Sequence, residues 1–266
     1  AKKLAKDEKG VTAVKTPKEV AEKAECIFLC VGDTAMSEEV ILGKDGIIDG
    51  AQPGTVVVDA STVSVASSRR VGEALGKKKI EFLGAPCTGS KPGAEGGTLT
   101  FMIGGKKKVF DKVRPYFEPM GKNLYYCGGA GMGLAAKLSQ NLILSNMLQA
   151  FNEGLVMATK AGVDPELMLE ILQNSAAKSG LIGFKAPYVF KRNFETNFSV
   201  KWMHKDIGLM LEFSNDMDVP VPLTSLTQQM FRAAIARGYG EEDICATIKV
   251  LEEIAAAHDA TPYQIA

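Results

Sequence analysis

Between Val11 and about Gly128, short apolar runs rich in β-formers are separated by stretches of helical periodicity. This alternation constrains the fold most, because strands that alternate with helices assemble as βα units around a parallel sheet. The runs are Val11–Lys15, Cys26–Val31, Thr55–Ala60, Ile80–Pro86, Thr98–Ile103 and Asn123–Cys127. Between the first two, Thr16, Pro17 and Glu19 stand in a capping-box arrangement that predicts a helix start. After Cys127 the strands stop. Gly131 opens a run through Leu134, Leu138, Leu142, Met147, Leu148, Leu155 and Met157 with no proline before Pro165, so one long helix leaves the sheet. Further helices are predicted from Pro165 onward, behind the cap Asp164, and over Lys205–Asn215, Leu223–Arg237 and Glu241–Ala257. The expected architecture is an α/β Rossmann-like parallel-sheet domain over 1–128, an all-α domain over 129–257 joined to it by the long helix, and a polar tail over 258–266.

The chain of 266 residues is 46% hydrophobic, enough to bury two cores, which excludes a disordered or collagen-like protein. Thirty-one basic residues balance thirty-one acidic ones, so no global field favours nucleic acid or an anionic membrane as partner. Charges interrupt every long apolar stretch, which argues against a transmembrane span, and no signal peptide opens the chain. Cys26, Cys30, Cys87, Cys127 and Cys245 are odd in number and lack CxxC spacing, as fits reduced thiols in a cytoplasmic compartment. His204 and His258 lack a metal-ligand spacing, so no metal site is expected.

Two segments carry chemistry. In GMGLAAKLSQN, Lys137 and Asn141 are four residues apart and share a helical face, one turn beyond the close-approach glycines Gly131 and Gly133. A partly desolvated lysine can exchange a proton with a substrate hydroxyl while the amide fixes orientation. The same spacing also suits a surface lysine and a core asparagine. In GAPCTGSKPGAEGGTLTFMIGG, Gly84 to Gly105, an apolar run ends in Thr88, Gly89 and Ser90. Hydroxyls and glycine-exposed amides at the carboxyl end of a parallel strand suit a small carboxylate, although a plain turn reads the same way. A GxGxxG dinucleotide fingerprint is not among these residues. The cluster Gly128, Gly129, Gly131 and Gly133 follows the last strand and reads as a domain-joining turn.

Four ordered segments, DASTVS (Asp59–Ser64), APCTGS (Ala85–Ser90), GMGLAAKLSQN (Gly131–Asn141) and Lys205-Asp206, resemble the β-hydroxyacid dehydrogenases, relatives of 3-hydroxyisobutyrate and 6-phosphogluconate dehydrogenase. The resemblance covers the chain to about Ala257. It implies an NAD- or NADP-dependent oxidoreductase that interconverts a small β-hydroxyacid and its semialdehyde or keto acid. Lys137 matches the family's general acid and base, Asn141 the substrate-holding amide, and Thr88, Gly89 and Ser90 the Ser-Gly-Gly that binds the substrate carboxylate. Lys205 matches the lysine near the nicotinamide and Asp206 its acidic neighbour in the site, while Val31, Gly32 and Thr62 match cofactor contacts. A homodimer or homotetramer is implied as well.

The chain departs from the family where Gly84, Cys87 and Ser90 replace Asp, Val and Gly, and where Val31-Gly32 replaces a common Leu-Pro pair. The serine is similar to the succinic semialdehyde reductase branch, LTFMIGG to the hydroxyisobutyrate branch. The family's first βαβ unit, with its glycine loop, has no counterpart here. The opening AKKLAKDEKG, with Leu4 among lysines, therefore reads as a start inside a domain, and dinucleotide binding is expected to be weak without preceding residues. Two other readings are a non-catalytic module of the same fold, which retained Lys137, Asn141 and Lys205 disfavour, and an imine reductase, a group that generally replaces the lysine.

Overall fold

A computed structural model describes residues 2–257. The tail over 258–266, His258 and the Leu4 side chain lie outside that description. By backbone contacts the chain divides into two compact units between Lys137 and Leu138.

The first unit is a six-stranded sheet with its helices. Its elements are α1 (Lys2–Asp7), α2 (Pro17–Ala21), β1 (Cys26–Leu29), α3 (Thr34–Leu42), α4 (Ile47–Gly50), β2 (Val56–Asp59), α5 (Val65–Lys77), β3 (Glu81–Gly84), β4 (Cys87–Thr88), α6 (Ser90–Glu95), β5 (Leu99–Gly105), α7 (Lys107–Phe117) and β6 (Gly121–Gly128). Strand β2 runs parallel to both β1 and β3, and all four of its residues are buried, as expected of a central strand covered on both faces. The two faces receive alternate side chains. Val56 and Val58 join Leu83, Phe101, Ile103 and Phe110 on one side, while Val57 joins Ile27, Leu29, Ile41, Val71 and Leu75 on the other. Phe117 anchors the first layer with edge-on contacts to Phe28 at 5.0 Å and Phe101 at 5.1 Å.

Three expectations need correction. The sheet is not wholly parallel: β5 runs antiparallel to β3 and β4, and β6 pairs parallel with β5. Residues 11–15 form no strand, because none of the six strands pairs with them and Val11 stays 38% exposed. The helix expected from Glu241 starts only at Ile248, since residues before it turn through two short 3-10 segments, Tyr239–Glu241 and Ile244–Thr247. The Thr16 cap holds: its Oγ1 accepts the Glu19 N–H at 3.2 Å, and Glu19 accepts the Lys15 N–H at 2.8 Å.

The second unit is helical. It contains most of α8 (Met132–Lys160), then α9 (Pro165–Gln173), α10 (Gly180–Phe190), which sequence periodicity did not predict, α11 (Val200–Asp216), α12 (Pro222–Ala236) and α13 (Ile248–Ala257). Asp164 caps α9 by accepting the Leu167 N–H at 2.9 Å. Leu148, Phe151, Val189, Met203, Ile207, Phe231 and Ile248 build its core. Among the described residues no helix is long and apolar enough to cross a membrane.

The first turn of α8 lies against the sheet. A Cβ on Gly133 would collide with the Met102 carbonyl and come within 2.8 Å of the Gly84 carbonyl, and one on Gly104 would sit 2.6 Å from the Gly133 nitrogen. Two glycines therefore let a helix start directly on strands β3 and β5. Gly133→Ala meets backbone rather than a flexible tip, so it should cost about 1–3 kcal/mol. The melting temperature should fall by roughly 3–10 °C, measurable by calorimetry.

Candidate active site

Lys137 follows Gly133 by one turn on α8 and is only 6% exposed. Its position is set by the glycine contact, since the sheet fixes where the helix begins and the 3.6-residue turn fixes where the side chain emerges. In the same unit the β3–β4 segment delivers Cys87 and Thr88, both half-buried, followed by exposed Gly89 and Ser90. Burial pushes the Cys87 thiol above its ordinary pKa, and the nearby Lys137 ammonium opposes that shift. Lys137 and the turn at 88–90 therefore belong to one neighbourhood. Gly89 has φ +132°, and Ser90 has φ +54°, in the left-handed region that favours glycine.

On the second unit's part of the helix, Asn141 is 2% exposed and its Nδ2 donates to Asp206 Oδ2 at 2.7 Å. The other oxygen of Asp206 pairs with Lys205 Nζ at 2.7 Å. Asp206 is itself 2% exposed, whereas the Lys205 side chain is 22% exposed. One buried carboxylate thus holds an amide from α8 and an ammonium from α11, and it satisfies both with charge-assisted bonds.

The expected cofactor contacts lie at the carboxyl ends of β1 and β2, which are adjacent parallel strands. Val31, Gly32 and Thr62 are all half-buried there. The Val31 N–H donates to Ser61 Oγ at 2.8 Å, tying the two loops together. Small uncharged residues at paired strand ends form the crevice in which open α/β sheets hold nucleotides, so these residues fit a nicotinamide dinucleotide. Sequence reasoning quoted DASTVS but gave no part to Asp59 or Ser61, and it gave none to Cys87. The signal for Asp59 was a carboxylate closing the apolar run VVVD. Among the described residues no cluster of His, Cys, Asp or Glu could hold a metal ion.

The chain is similar to known proteins over most of its length. Residues 1–129 match the model for the NAD-binding domain of 6-phosphogluconate dehydrogenase. Residues 131–251 match the NAD-binding model of NADP-dependent 3-hydroxyisobutyrate dehydrogenase. The chain is 35% identical to 2-(hydroxymethyl)glutarate dehydrogenase of Eubacterium barkeri, over 92% of this chain and 82% of that protein. It is 32% identical to 2-hydroxy-3-oxopropionate reductase of Escherichia coli, over 92% and 84% of the two chains. The solved 3-hydroxyisobutyrate dehydrogenase of Mycobacterium tuberculosis aligns at TM-score 0.81 with 26% identity, over 88% of this chain and 81% of that one. The fold is that of a nicotinamide-dependent oxidoreductase, a Rossmann-like sheet domain followed by helices. The chain belongs to the β-hydroxyacid dehydrogenase family, NAD- or NADP-dependent enzymes that act on CH–OH groups. The reading as a non-catalytic module finds no support among these relatives.

Asn141→Leu would leave one oxygen of the buried Asp206 without its amide partner. Such a loss should cost about 1–3 kcal/mol of stability, read as a lower urea midpoint for loss of helical circular dichroism.

Proposed function

We propose that the chain interconverts a small β-hydroxyacid and its semialdehyde or keto acid, with Lys137 moving the hydroxyl proton. The observation that carries this reading is a buried lysine ammonium acting on Cys87, the residue before the Thr88–Ser90 turn. A desolvated ammonium beside a substrate oxygen can give up or take back a proton. Thr88, Gly89 and Ser90 bind the substrate carboxylate through short hydroxyl and amide donors. Ser90 keeps a backbone conformation that costs a serine about 1–3 kcal/mol, and retained strain of this kind clusters at ligand sites. Asn141 orients the substrate, and Asp206 holds Asn141 and Lys205 in place. Lys205 lies by the cofactor, and Val31, Gly32 and Thr62 contact it. When bound, the nicotinamide supplies the hydride acceptor or donor. In this reading residues 1–128 form the cofactor domain and 129–257 the helical dehydrogenase domain.

In sequence the turn at 88–90 is followed by a single cation, Lys91, and with Lys137 that falls short of the cluster of Arg and Lys that a phosphosugar calls for. Glyoxylate, succinic semialdehyde and 3-hydroxyisobutyrate should therefore be preferred to 6-phosphogluconate in a panel of kcat/KM values. Lys137→Met should lower kcat by about a hundredfold to ten-thousandfold while cofactor binding persists. A kcat within a few-fold of wild type would overturn the proton-transfer role.

We further infer a homodimer or homotetramer formed through the helical unit, and a reducing, cytoplasmic setting, which suits five free cysteines. A groove of about 480 Å³ on that unit is lined by Gln140, Ile143, Leu144, Met147 and Leu181, with Ile143 59% exposed. An apolar lining open to water favours association with a like surface. Ile143→Lys should shift the mass from light scattering towards the monomer, and a monomeric wild type would refute the assembly.

A further inference from the structure

Asp59 ends the buried central strand β2 and is 2% exposed, yet the chemistry proposed above gives it no part. An ionised carboxylate in that position costs several kcal/mol unless its oxygens are occupied. They are occupied by neighbours from the segments that follow the ends of β1 and β2. Ser37 Oγ, from α3, donates to Oδ2 at 2.6 Å, and the Ser61 N–H donates to Oδ1 at 2.9 Å. The Ser61 hydroxyl in turn accepts the Val31 N–H at 2.8 Å. A relay therefore runs from the Val31 backbone through Ser61 to Asp59 and on to Ser37.

Every link of the relay reaches a segment at the carboxyl end of β1 or β2. Val31 precedes Gly32, Ser61 precedes Thr62, and Ser37 lies in the first turns of the helix that follows β1. Two more bonds brace the same pair of loops: the Ser64 N–H donates to Thr34 Oγ1 at 3.0 Å, and Asp33 caps α3 by accepting the Met36 N–H at 2.8 Å. Charge on Asp59 polarises the Ser37 hydroxyl and the Ser61 N–H and strengthens the chain of bonds in a low-dielectric interior. A preformed seat lowers the ordering cost of binding.

We propose that Asp59 and Ser61 are positioning residues that hold the ends of β1 and β2 in register to receive the nicotinamide dinucleotide. The proposal rests on the reading of Val31, Gly32 and Thr62 as cofactor contacts. Asn at position 59 keeps the shape but turns one acceptor into a donor, so it can no longer accept from both the Ser61 N–H and the Ser37 hydroxyl. Alanine at 61 removes the relay and leaves Thr62 in place.

Isothermal titration of the intact protein with NADH and with NADPH tests this, together with melting temperatures and steady-state kinetics. Ser61→Ala and Asp59→Asn should each raise the Kd of whichever dinucleotide the wild type binds by roughly five- to twentyfold. They should raise the cofactor KM alike, and kcat at saturating cofactor should stay within a few-fold. Ser67→Ala is the control, because Ser67 is equally buried on α5 but bonds Glu38 outside the relay. It should lower the melting temperature and leave the Kd within twofold. Gly32→Val and Thr62→Phe test the seat itself. If they abolish binding while Ser61→Ala and Asp59→Asn bind as wild type, the positioning role is wrong and the contact reading stands. If Gly32→Val and Thr62→Phe bind as wild type, the seat is misplaced and both fall. A Kd loss in Ser67→Ala equal to that in Ser61→Ala would also overturn the proposal, because general destabilisation would then account for it.

Discussion

No side chain separates the start of α8 from the sheet. Gly133 lies against the carbonyls of Met102 and Gly84, and Gly104 lies against the amides of Met132 and Gly133. Backbone on backbone leaves neither partner room to slide, since there is no rotamer to relax. Gly131, at φ +84°, turns the chain into the helix beneath the Arg69 side chain, whose Nε donates to the Ala130 carbonyl at 3.3 Å. The approach costs two residues of low helix or strand propensity. In return it fixes where the helix begins and the place of its first turns, through Lys137. Lys137 inherits its position from that origin. A lysine on a loop would have to be held by its own contacts, whereas here the rigid rod does so.

The same rod is the spine of the helical unit, and its buried side is unusually polar. Lys137, Asn141, Ser145, Gln149 and Asn152 recur at steps of four or three and are all buried. Buried polar groups cost stability unless they are matched, and these are matched unevenly: Ser145 Oγ donates to the Leu142 carbonyl of its own helix and the Gln149 amide has no hydrogen-bond partner, while Asn141 and Asn152 are matched across elements. Asn141 bonds Asp206 of α11, and Asn152 bonds Thr247 at 2.9 Å. Asn146, beside the stripe, donates to Thr224 and accepts from Thr227 of α12. Each pairing selects one rotation of α8 about its axis. An apolar stripe would tolerate a small twist, but the paired amides of Asn141, Asn146 and Asn152 do not. Such pairing keeps Asn141 pointed at a carboxylate rather than at solvent.

Much of this was legible in the sequence because it depends on local pattern. Strands β1, β2 and β3 announce themselves as short apolar runs, and α8 as an uninterrupted helical period. The Thr16 and Asp164 caps follow from side-chain chemistry within four residues. Other features depend on partners far away in the chain. The direction of β5 is set by pairing with β3 and β4, which no local period encodes. Val11–Lys15 has strand composition and no strand beside it. Helix α10 escaped because its apolar residues run all round it, so it lacks the one-sided periodicity that marks a surface helix. At the site, Lys137, Asn141 and the turn at 88–90 could be read from residue type and spacing. The roles of Asp59 and Ser61 could not, since they arise from a hydrogen bond between residues 31 and 61.

The interruption before α13 has a physical cause in one fully buried carboxylate. Both oxygens of Asp243 meet Lys185 Nζ of α10 at 2.8 Å. They also accept the N–H groups of Asn197 at 3.0 Å, Phe198 at 3.2 Å and Cys245 at 3.1 Å. A helix running from Glu241 would carry residue 243 past these donors and strand the ion pair, so the chain turns through 3-10 segments until Ile248. The donors on 197 and 198 lie immediately before α11, and the Val200 N–H bonds the Glu242 carbonyl at 2.9 Å, so the same hub aims that helix. Removing a charge from water is expensive, and an apolar pair of equal volume is often as stable. What an apolar pair lacks is direction, because it cannot demand five hydrogen bonds from four donors at fixed angles. The direction matters here because Lys205 and Asp206 emerge on the second turn of α11, and a rotation of that helix would carry Asp206 away from Asn141.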